Sequence, residues 1–220
     1  MPGRVYNRDT LPMKTEIISA NHPIALRHAM DVLTHGGLVA FPTDTVYGLA
    51  SLPFSAEFVE RLFTAKGRNS SRAIAVLVGK HEDLARITPE MGSKAMRLAA
   101  RFWPGPLTLV VPKHPRLPDV LAQDGTVGVR MPDHPLALAL LQAIGPLAVT
   151  SANISGKDNT NSAEEVIAQL GGRIHLVLDG GRSPGCVPST VVNCTGPDLV
   201  VLRTGPINLE EMLQILAQPE

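Results

Sequence analysis

Hydrophobic residues along the chain follow two spacings, which predict alternating strands and helices. Eight short apolar runs bounded by Gly and Pro are typical of strands: LVAF, IAVLV, LTLVV, VGVR, LAVT, HLVL, STVV and LVVLR. Most of these runs are apolar at every position, so both faces of each strand need cover. The pattern predicts an α/β or α+β fold, with a twisted, mostly mixed β-sheet flanked by helices.

Capping residues ahead of segments with helical apolar spacing indicate where the helices begin. Two pairs match the capping box, Ser162 with Glu165 and Asn208 with Glu211. Four further starts are predicted at Asn21 before Pro23, at Ser55, at Thr88 before Pro89, and at Asp133. Helices are therefore expected between the predicted strands.

The domain organisation is predicted from length and periodicity. A chain of 220 residues can bury a full-sized core, and no repeat or long linker divides it. Residues 1–15 carry little periodicity and predict a loose N-terminal arm. Residues 16–220 predict a single domain.

Composition and charge narrow the classes of partner. Hydrophobic residues make up 44% and charged residues 18%, with 20 Lys plus Arg against 20 Asp plus Glu. This balance gives no global field that would attract nucleic acid or an anionic membrane, so any anion site must be local. No apolar run is long enough for a membrane span, and the N-terminus lacks the apolar centre of a signal peptide. The sequence predicts a cytoplasmic protein with no membrane partner.

The two cysteines agree with a reducing compartment. Cys186 and Cys194 have the spacing of neither a CxxC metal pair nor a disulfide framework. We expect two buried or partly buried free thiols.

Small polar and charged residues lie at or near the ends of most predicted strands. These residues are Thr43, Asp44 and Thr45 after VAFP, Arg130 in VGVR, Thr150 to Asn153 after LAV, Ser189 and Thr190 at the start of STVV, and Arg203 in LVVLR. In open α/β sheets, ligands bind where strand ends converge. Turn chemistry alone explains any one of these residues, but the set favours a binding site for a small polar ligand.

A basic segment, RLFTAKGRNSSR at residues 61–72, contains four basic residues and no acid. Gly67 permits a sharp bend, so the ammonium of Lys66 and the guanidinium of Arg68 can face one polyanion. A phosphate chain is a suitable ligand. The alternative is a solvated helix end whose positive charge meets the negative end of the helix dipole.

Several other chemistries are not indicated. The chain has no Walker A sequence, no G-x-G-x-x-G, no G-x-S-x-G and no H-E-x-x-H, and its histidines show no ligand spacing. The metal ligands stay unknown. Asp44, Asp124 and Asp179 could reach a magnesium ion through water or phosphate, although isolated aspartates are more often turn residues.

Seven ordered motifs resemble the YrdC-like family of threonylcarbamoyl-AMP synthases. They are PTDTVYGLA, KGR, WPGPLTLVV, VGVRMPDHP, TSANISG, STVV and LRTGPI, and they extend from about Asn21 to Ile207. The resemblance implies a YrdC/RibB-like fold with a positively charged concave site. It also implies a nucleotidyltransferase that forms threonylcarbamoyl-AMP and pyrophosphate from L-threonine, bicarbonate or CO2, and ATP, with Mg as the cofactor. A downstream threonylcarbamoyl transferase complex would then modify tRNA. Direct binding of tRNA by this chain is a further option that the resemblance leaves open.

The resemblance also implies roles for individual residues. The catalytic residues would be Lys66, Arg68, Ser151 and Asn153. Threonine would be bound by Thr43, Thr45, Arg130 and Ser189. ATP would be bound by Lys66, Arg68, Arg72, Thr126, Ser151, Asn153, Asn159 and Arg203.

The sequence departs from the family pattern at three places. Asn69 stands where many members have a proline after Lys-x-Arg, and Arg72 with Ala73 stand where many have an Asn-Pro pair. Leu77 stands where many members have a histidine near the threonine. The histidine contact therefore cannot be made here.

Two other functions remain open. An RNA-binding module without catalysis would show steep salt dependence and no need for threonine. A carbamoyl-adenylate-forming domain of the hydrogenase-maturation type would use carbamoyl phosphate instead.

Overall fold

Ten strands form one mixed sheet in the computed structural model, which describes residues 14–67, 73–122 and 124–218. The strands are β1 Glu16–Ser19, β2 Val39–Phe41, β3 Gly48–Ser51, β4 Ala75–Leu77, β5 Leu107–Pro112, β6 Thr126–Arg130, β7 Leu147–Ser151, β8 Leu176–Asp179, β9 Thr190–Asn193 and β10 Val200–Arg203. Their order across the sheet is β1-β8-β2-β3-β7-β4-β6-β5-β9-β10. Four of the pairings are parallel and five antiparallel. The predicted mixed sheet is confirmed.

The described residues form six α-helices and one short 3-10 helix, which lie between the strands except for the last α-helix, which follows the last strand. The helices are α1 Ala25–Thr34, α2 Ala56–Lys66, α3 Ser93–Phe102, α4 Pro135–Ile144, α5 Ala163–Leu170 and α6 Leu209–Ala217, and the 3-10 helix is His81–Arg86. Apolar residues of α1 and α4 pack into one buried cluster, and those of α2, α3, α5 and α6 into another. Helices therefore lie on both sides of the sheet. The predicted cover is incomplete at the edge strand β10, where Val200 and Leu202 are exposed.

The alternation of side chains explains why a strand such as β2 is apolar throughout. Val39 and Phe41 belong to one buried cluster, while Leu38 and Ala40 belong to the other. Successive side chains of a strand point to opposite faces, so each face of β2 supplies one cluster. A fully apolar run is thus the sequence signature of a strand between two helical layers.

All eight predicted strands are present, but β1 and β3 were not predicted. The sequence of β3, GLAS, contains no β-branched or aromatic residue, so its propensity for a strand is low. Its four residues are buried between β2 and β7, and each of them pairs with β7. Pairing with distant neighbours, rather than local propensity, makes this segment a strand.

Three of the predicted helix caps are confirmed. The side chains of Ser55, Ser162 and Asn208 each accept a hydrogen bond from the backbone three residues later. The capping box is complete only at Asn208, where the Glu211 carboxylate accepts from the cap's own backbone. In α5 the Glu165 carboxylate accepts from the backbone of Asn161 instead.

The other three predicted starts are displaced. Helix α1 begins at Ala25 rather than near Asn21, and α4 begins at Pro135, two residues after Asp133. Thr88 caps no helix, because its hydroxyl accepts from the backbone of Glu90 within a turn, and α3 begins only at Ser93. Turn formation by Thr competes here with helix capping.

The last residue of the predicted N-terminal arm is hydrogen-bonded to the rest of the chain. Most of the predicted N-terminal arm, residues 1–13, lies outside the described residues. Thr15, the last arm residue, donates a hydrogen bond to the carbonyl of Ile174 at 2.6 Å.

Both cysteines are free, but Cys186 is exposed, so its predicted burial is wrong. Among the described helices, none combines the length and the apolar character that crossing a membrane requires.

Arg97 links the end of α6 to α3. Its guanidinium donates to the carbonyl of Ile215 at 2.6 Å and to that of Leu216 at 3.1 Å. The positive charge also lies at the negative end of the α6 dipole. We expect Arg97→Ala to lower the free energy of unfolding by about 1–2 kcal/mol, measured by urea denaturation.

Arg27→Ala is the matched control for this prediction. Arg27 is an exposed residue of α1 with no hydrogen bond or ion pair to the described part of the chain. Its replacement should change the unfolding free energy by less than about 0.5 kcal/mol. Equal effects of the two substitutions would show that Arg97 does not stabilise the end of α6.

Candidate active site

A cleft of about 530 Å³ runs across one face of the central strands. Thr126, Gly128 and Arg130 line it from β6, and Thr108 and Val110 line it from β5. These residues alternate along their strands, so they share one face of the sheet. The expectation that strand ends alone form the site was too narrow, because the cleft extends from one end of β6 to the other.

The structure brings ten of the twelve predicted site residues together. The lining residues among them are Thr43, Thr45, Lys66, Thr126, Arg130, Ser151, Asn153, Asn159, Ser189 and Arg203. The other two, Arg68 and Arg72, lie outside the described residues, as does Asn69. Leu77 also lines the cleft. The roles assigned to these residues remain predictions. Location in one cleft is necessary for those roles, and all ten described residues have it.

Lys66 connects the end of α2 to the loop after β7. Its ammonium donates to the backbone carbonyls of Ser151 and Asn153, the latter at 2.7 Å, and to Asn153 Oδ1 at 3.2 Å. Gly67 follows in the left-handed conformation, with φ of 57°, and ends the helix. The lysine is 2% exposed. It therefore shapes the loop as well as supplying positive charge.

Asn153 fixes the turn that carries Ser151 into the cleft. The Ser151 hydroxyl donates to Asn153 Oδ1 at 2.5 Å, and Asn153 Nδ2 donates to the carbonyls of Ile154 and Lys157 at 3.0 and 2.7 Å. All of the amide's polar atoms are therefore used inside the protein. The Ser-x-Asn spacing thus has a structural reason, since the asparagine orients the serine and closes the turn.

Arg130 is buried beneath the loop that joins β2 and β3. Its Nε donates to the carbonyl of Gly105 at 2.9 Å, Nη1 donates to Thr45 Oγ1 at 2.9 Å, and Nη2 donates to Asp44 Oδ1 at 2.5 Å. Burial lowers the pKa of Arg130, and the adjacent Asp44 carboxylate opposes that shift. Because the ordinary pKa of arginine is so high, the guanidinium stays charged at neutral pH.

Thr43 and Thr45 complete the same loop. Their hydroxyl oxygens lie 3.0 Å apart, within hydrogen-bond distance. The Thr43 hydroxyl also donates a hydrogen bond to the carbonyl of Val46 at 2.6 Å. Both threonines are buried. Three small polar side chains in a row therefore build a rigid loop that meets Arg130.

Ser189 is held from two sides. Its hydroxyl lies 2.8 Å from Thr108 Oγ1, and Arg203 Nη2 donates to the same hydroxyl at 2.9 Å. Arg203 also donates to the backbone carbonyl of Ser189. Burial lowers the pKa of Arg203, and the positive charge of Arg130 lowers it further. Gly205 supports this corner, since a Cβ there would lie 2.3 Å from the backbone nitrogen of Thr190.

Sequence reasoning missed Thr108 and the ion pair of Asp44 with Arg130. Thr108 is the one polar residue in the run LTLVV, and a buried hydroxyl in an apolar strand needs a hydrogen-bond partner. That interruption could have identified it. No local signal could have paired Asp44 with Arg130, which are 86 residues apart.

The charge of the cleft is positive although the chain as a whole is neutral. Lys66, Lys157, Arg130 and Arg203 line it, and Asp124 is the one acid among the described lining residues. Asp124 accepts from the Thr126 hydroxyl at 2.8 Å and is exposed. Within the described ranges, no three His, Cys, Asp or Glu residues are grouped to hold a metal ion. The cleft is suited to a polyanion and to chemistry that depends on positioning.

Comparison with known proteins gives a family match over most of the chain. The Sua5_yciO_yrdC family model, whose description reads "Telomere recombination", matches residues 31–205. A threonylcarbamoyl-AMP synthase of Pyrococcus abyssi is 41% identical over 195 residues, which cover 88% of this chain and 57% of that protein. One of Bacillus subtilis is 41% identical over 205 residues, 92% of this chain and 59% of that protein. The chain thus spans less than two thirds of the length of these relatives.

A solved structure supports the same match. The crystal structure of Pyrococcus abyssi Sua5 complexed with L-threonine superposes with a TM-score of 0.86 at 39% sequence identity. The match covers 93% of this chain and 61% of that one. The fold is therefore shared with a protein whose structure contains the amino acid.

Proposed function

Because this chain belongs to the Sua5/YciO/YrdC family, we propose that it is an L-threonylcarbamoyladenylate synthase. The reaction joins L-threonine, bicarbonate or CO2, and ATP into threonylcarbamoyl-AMP, with release of pyrophosphate. The observation that carries the proposal is one cleft in which a buried guanidinium with hydroxyls lies beside a lysine-anchored Ser-x-Asn loop. The first group is suited to an amino acid and the second to a phosphate chain.

The amino-acid end of the cleft is formed by Arg130, Thr45 and Ser189. Arginine carries five N–H groups, of which three donate to Gly105, Thr45 and Asp44. The other two make no hydrogen bond to residues 14–67, 73–122 and 124–218, and we assign them to the substrate carboxylate. The nearby threonine and serine hydroxyls, together with Thr43, would orient the substrate's hydroxyl and amine.

The nucleotide end is formed by Lys66, Ser151 and Asn153, with Thr126, Asn159 and Arg203 along the rest of the cleft. Lys66 places a positive charge under the Ser151 loop, where charge develops as pyrophosphate leaves. Arg68 and Arg72 would add charge from the basic loop that follows α2. The resulting site combines fixed hydrogen-bond donors with local positive charge.

The chemistry needs no covalent intermediate with the protein. The threonine amine adds to CO2 and loses a proton, which gives a carbamate. A carbamate oxygen then attacks the α-phosphorus in line, a P–O bond forms, and the bond from the α-phosphorus to the bridging oxygen breaks as pyrophosphate departs. Positioning and electrostatic stabilisation would supply most of the rate enhancement. Exclusion of water protects the carbamate and the mixed anhydride.

Magnesium would arrive with ATP rather than occupy a resident protein site. Mg²⁺ keeps several waters and is commonly bound through substrate phosphates and one or two carboxylates. Asp124 is the described carboxylate that lines the cleft and could contact the hydrated ion. The ion would neutralise charge on the phosphates next to Lys66.

The product would be consumed by a separate threonylcarbamoyl transferase complex that modifies tRNA. This role places the protein in the cytoplasm with the tRNA pool. The neutral charge of the chain argues against RNA binding as its main activity, because nonspecific binding to nucleic acid depends on many phosphate contacts.

Pyrophosphate release by the purified chain tests the proposal. With ATP, Mg²⁺ and bicarbonate, we expect release only when L-threonine is added, and a product whose mass matches threonylcarbamoyl-AMP. Turnover with carbamoyl phosphate would favour carbamoyl-adenylate formation instead. Steeply salt-dependent tRNA binding without turnover would favour an RNA-binding module.

Lys66→Ala should lower kcat by about 10²-fold, because it removes charge that stabilises departing pyrophosphate and releases the Ser151 loop. Initial rates at saturating substrates measure the effect, with a circular dichroism spectrum to verify folding. Lys80→Ala is the control, since Lys80 is exposed and does not line the cleft. A folded Lys66 variant with a kcat within about twofold of the unmodified protein would remove Lys66 from the mechanism.

A further inference from the structure

Asp44 lies behind Arg130 rather than in the cleft. Its Oδ1 accepts from Arg130 Nη2 at 2.5 Å and from the backbone nitrogen of Asp133 at 3.1 Å. The Asp44 side chain is 12% exposed and does not line the cleft. Any effect of this carboxylate on a bound substrate must therefore pass through the residues that it holds.

Arg130 requires a counter-charge because it is buried. The residue is 5% exposed, and its two other acceptors, the carbonyl of Gly105 and the hydroxyl of Thr45, are neutral. A buried charge without a partner is strongly unfavourable, because the ion loses its hydration without compensation. Asp44 is the one carboxylate in the described ranges that forms an ion pair with Arg130.

The contacts also fix the direction of the guanidinium. The group is planar, and its three bonds leave Nε, Nη1 and Nη2 in different directions toward Gly105, Thr45 and Asp44. This arrangement permits neither rotation nor translation of the fork. The two N–H groups left for a ligand are thereby aimed before the ligand arrives, which lowers the ordering cost of binding.

The second carboxylate oxygen of Asp44, Oδ2, explains why a neutral asparagine is not equivalent to the charged aspartate. Oδ2 is buried and has no hydrogen-bond partner among the described residues. An asparagine could keep the Oδ1 contacts, but its amide nitrogen would then occupy the Oδ2 position with no acceptor there. Asp44→Asn therefore removes the counter-charge and leaves a buried donor unpaired.

We propose that Asp44 is a positioning residue for the amino-acid end of the cleft. It balances the charge of Arg130 and orients the guanidinium, so that the two remaining N–H groups donate to the carboxylate of the substrate. This inference rests on the proposed function, in which that substrate is L-threonine. A purely structural role would instead lower stability and leave the relative affinities for threonine and nucleotide unchanged.

The test compares binding of L-threonine by calorimetric titration, in the presence of Mg²⁺ and a non-hydrolysable ATP analogue. We expect Asp44→Asn to weaken threonine binding by about tenfold or more, and Asp44→Glu, which keeps the charge, to recover part of that loss. Affinity for the ATP analogue should change by less than about twofold, since the nucleotide does not depend on Arg130 for orientation. In turnover assays Asp44→Asn should raise the KM for threonine by a larger factor than it lowers kcat.

Asp83→Asn is the matched control, because Asp83 is also a buried aspartate with an arginine neighbour, Arg86 at 3.7 Å, but Arg86, unlike Arg130, does not line the cleft. Threonine affinity should be unchanged in this variant. Equal losses in the two Asn variants, or an unchanged affinity in Asp44→Asn, would overturn the positioning role while leaving the proposed function intact. Failure of the unmodified protein to bind threonine would overturn both.

If Asp44→Asn does not fold, a second pair of variants tests whether Asp44 acts through Arg130. Arg130→Gln and Arg130→Gln/Asp44→Asn are compared, since the double variant leaves no unpaired charge from this pair. If Asp44 acts only through Arg130, the two should have the same KM for threonine within about twofold. A further rise of several-fold in the double variant would mean that Asp44 acts on the substrate by another route.

Discussion

The candidate site depends on one buried charge, the guanidinium of Arg130. Its hydrogen bonds join three distant parts of the chain, which are the loop after β2, the turn before β5 and the end of β6. None of these contacts is local. β5 and β6 are neighbours in the sheet, whereas β3, β7 and β4 lie between β2 and β6, so it is the loop after β2 that reaches Arg130. Removing a partner from a buried polar network of this kind leaves a desolvated group without its hydrogen bond, so the residues of these segments constrain one another.

The rest of the cleft is arranged around the same principle of buried, paired polar groups. Lys66 is nearly inaccessible, yet its ammonium is hydrogen-bonded to the Ser151 and Asn153 carbonyls and so fixes the loop beside it. Ser189 is fixed between Thr108 and Arg203 in the same way. The cleft thus presents groups in fixed positions, which suits a reaction that proceeds by alignment of a carbamate with a phosphate rather than by a protein nucleophile.

The sequence predicts the strands better than the surface on which the site lies. Apolar runs identify β2 and β4 to β10, in most cases because burial leaves a continuous apolar signal. β10 is the exception, since its run is apolar although three of its four residues are exposed. They do not identify β3, whose small residues become a strand through pairing with β2 and β7. Of the ten predicted residues that share the cleft, eight are indicated by type and position near strand ends or in the basic segment, whereas Thr126 and Asn159 are indicated only by the family resemblance. Their arrangement across one sheet face, and the partnership of Asp44 with Arg130, arise from contacts between distant segments that no local pattern records.

A crystal structure of this protein with L-threonine tests the central claim most directly. The account predicts that the substrate carboxylate lies within hydrogen-bond distance of Arg130, with Thr45 and Ser189 beside it and the Asp44 contact retained. The amine would then face the Lys66 and Ser151 end of the cleft. Threonine bound away from Arg130, or bound with Arg130 released from Asp44, would contradict the account.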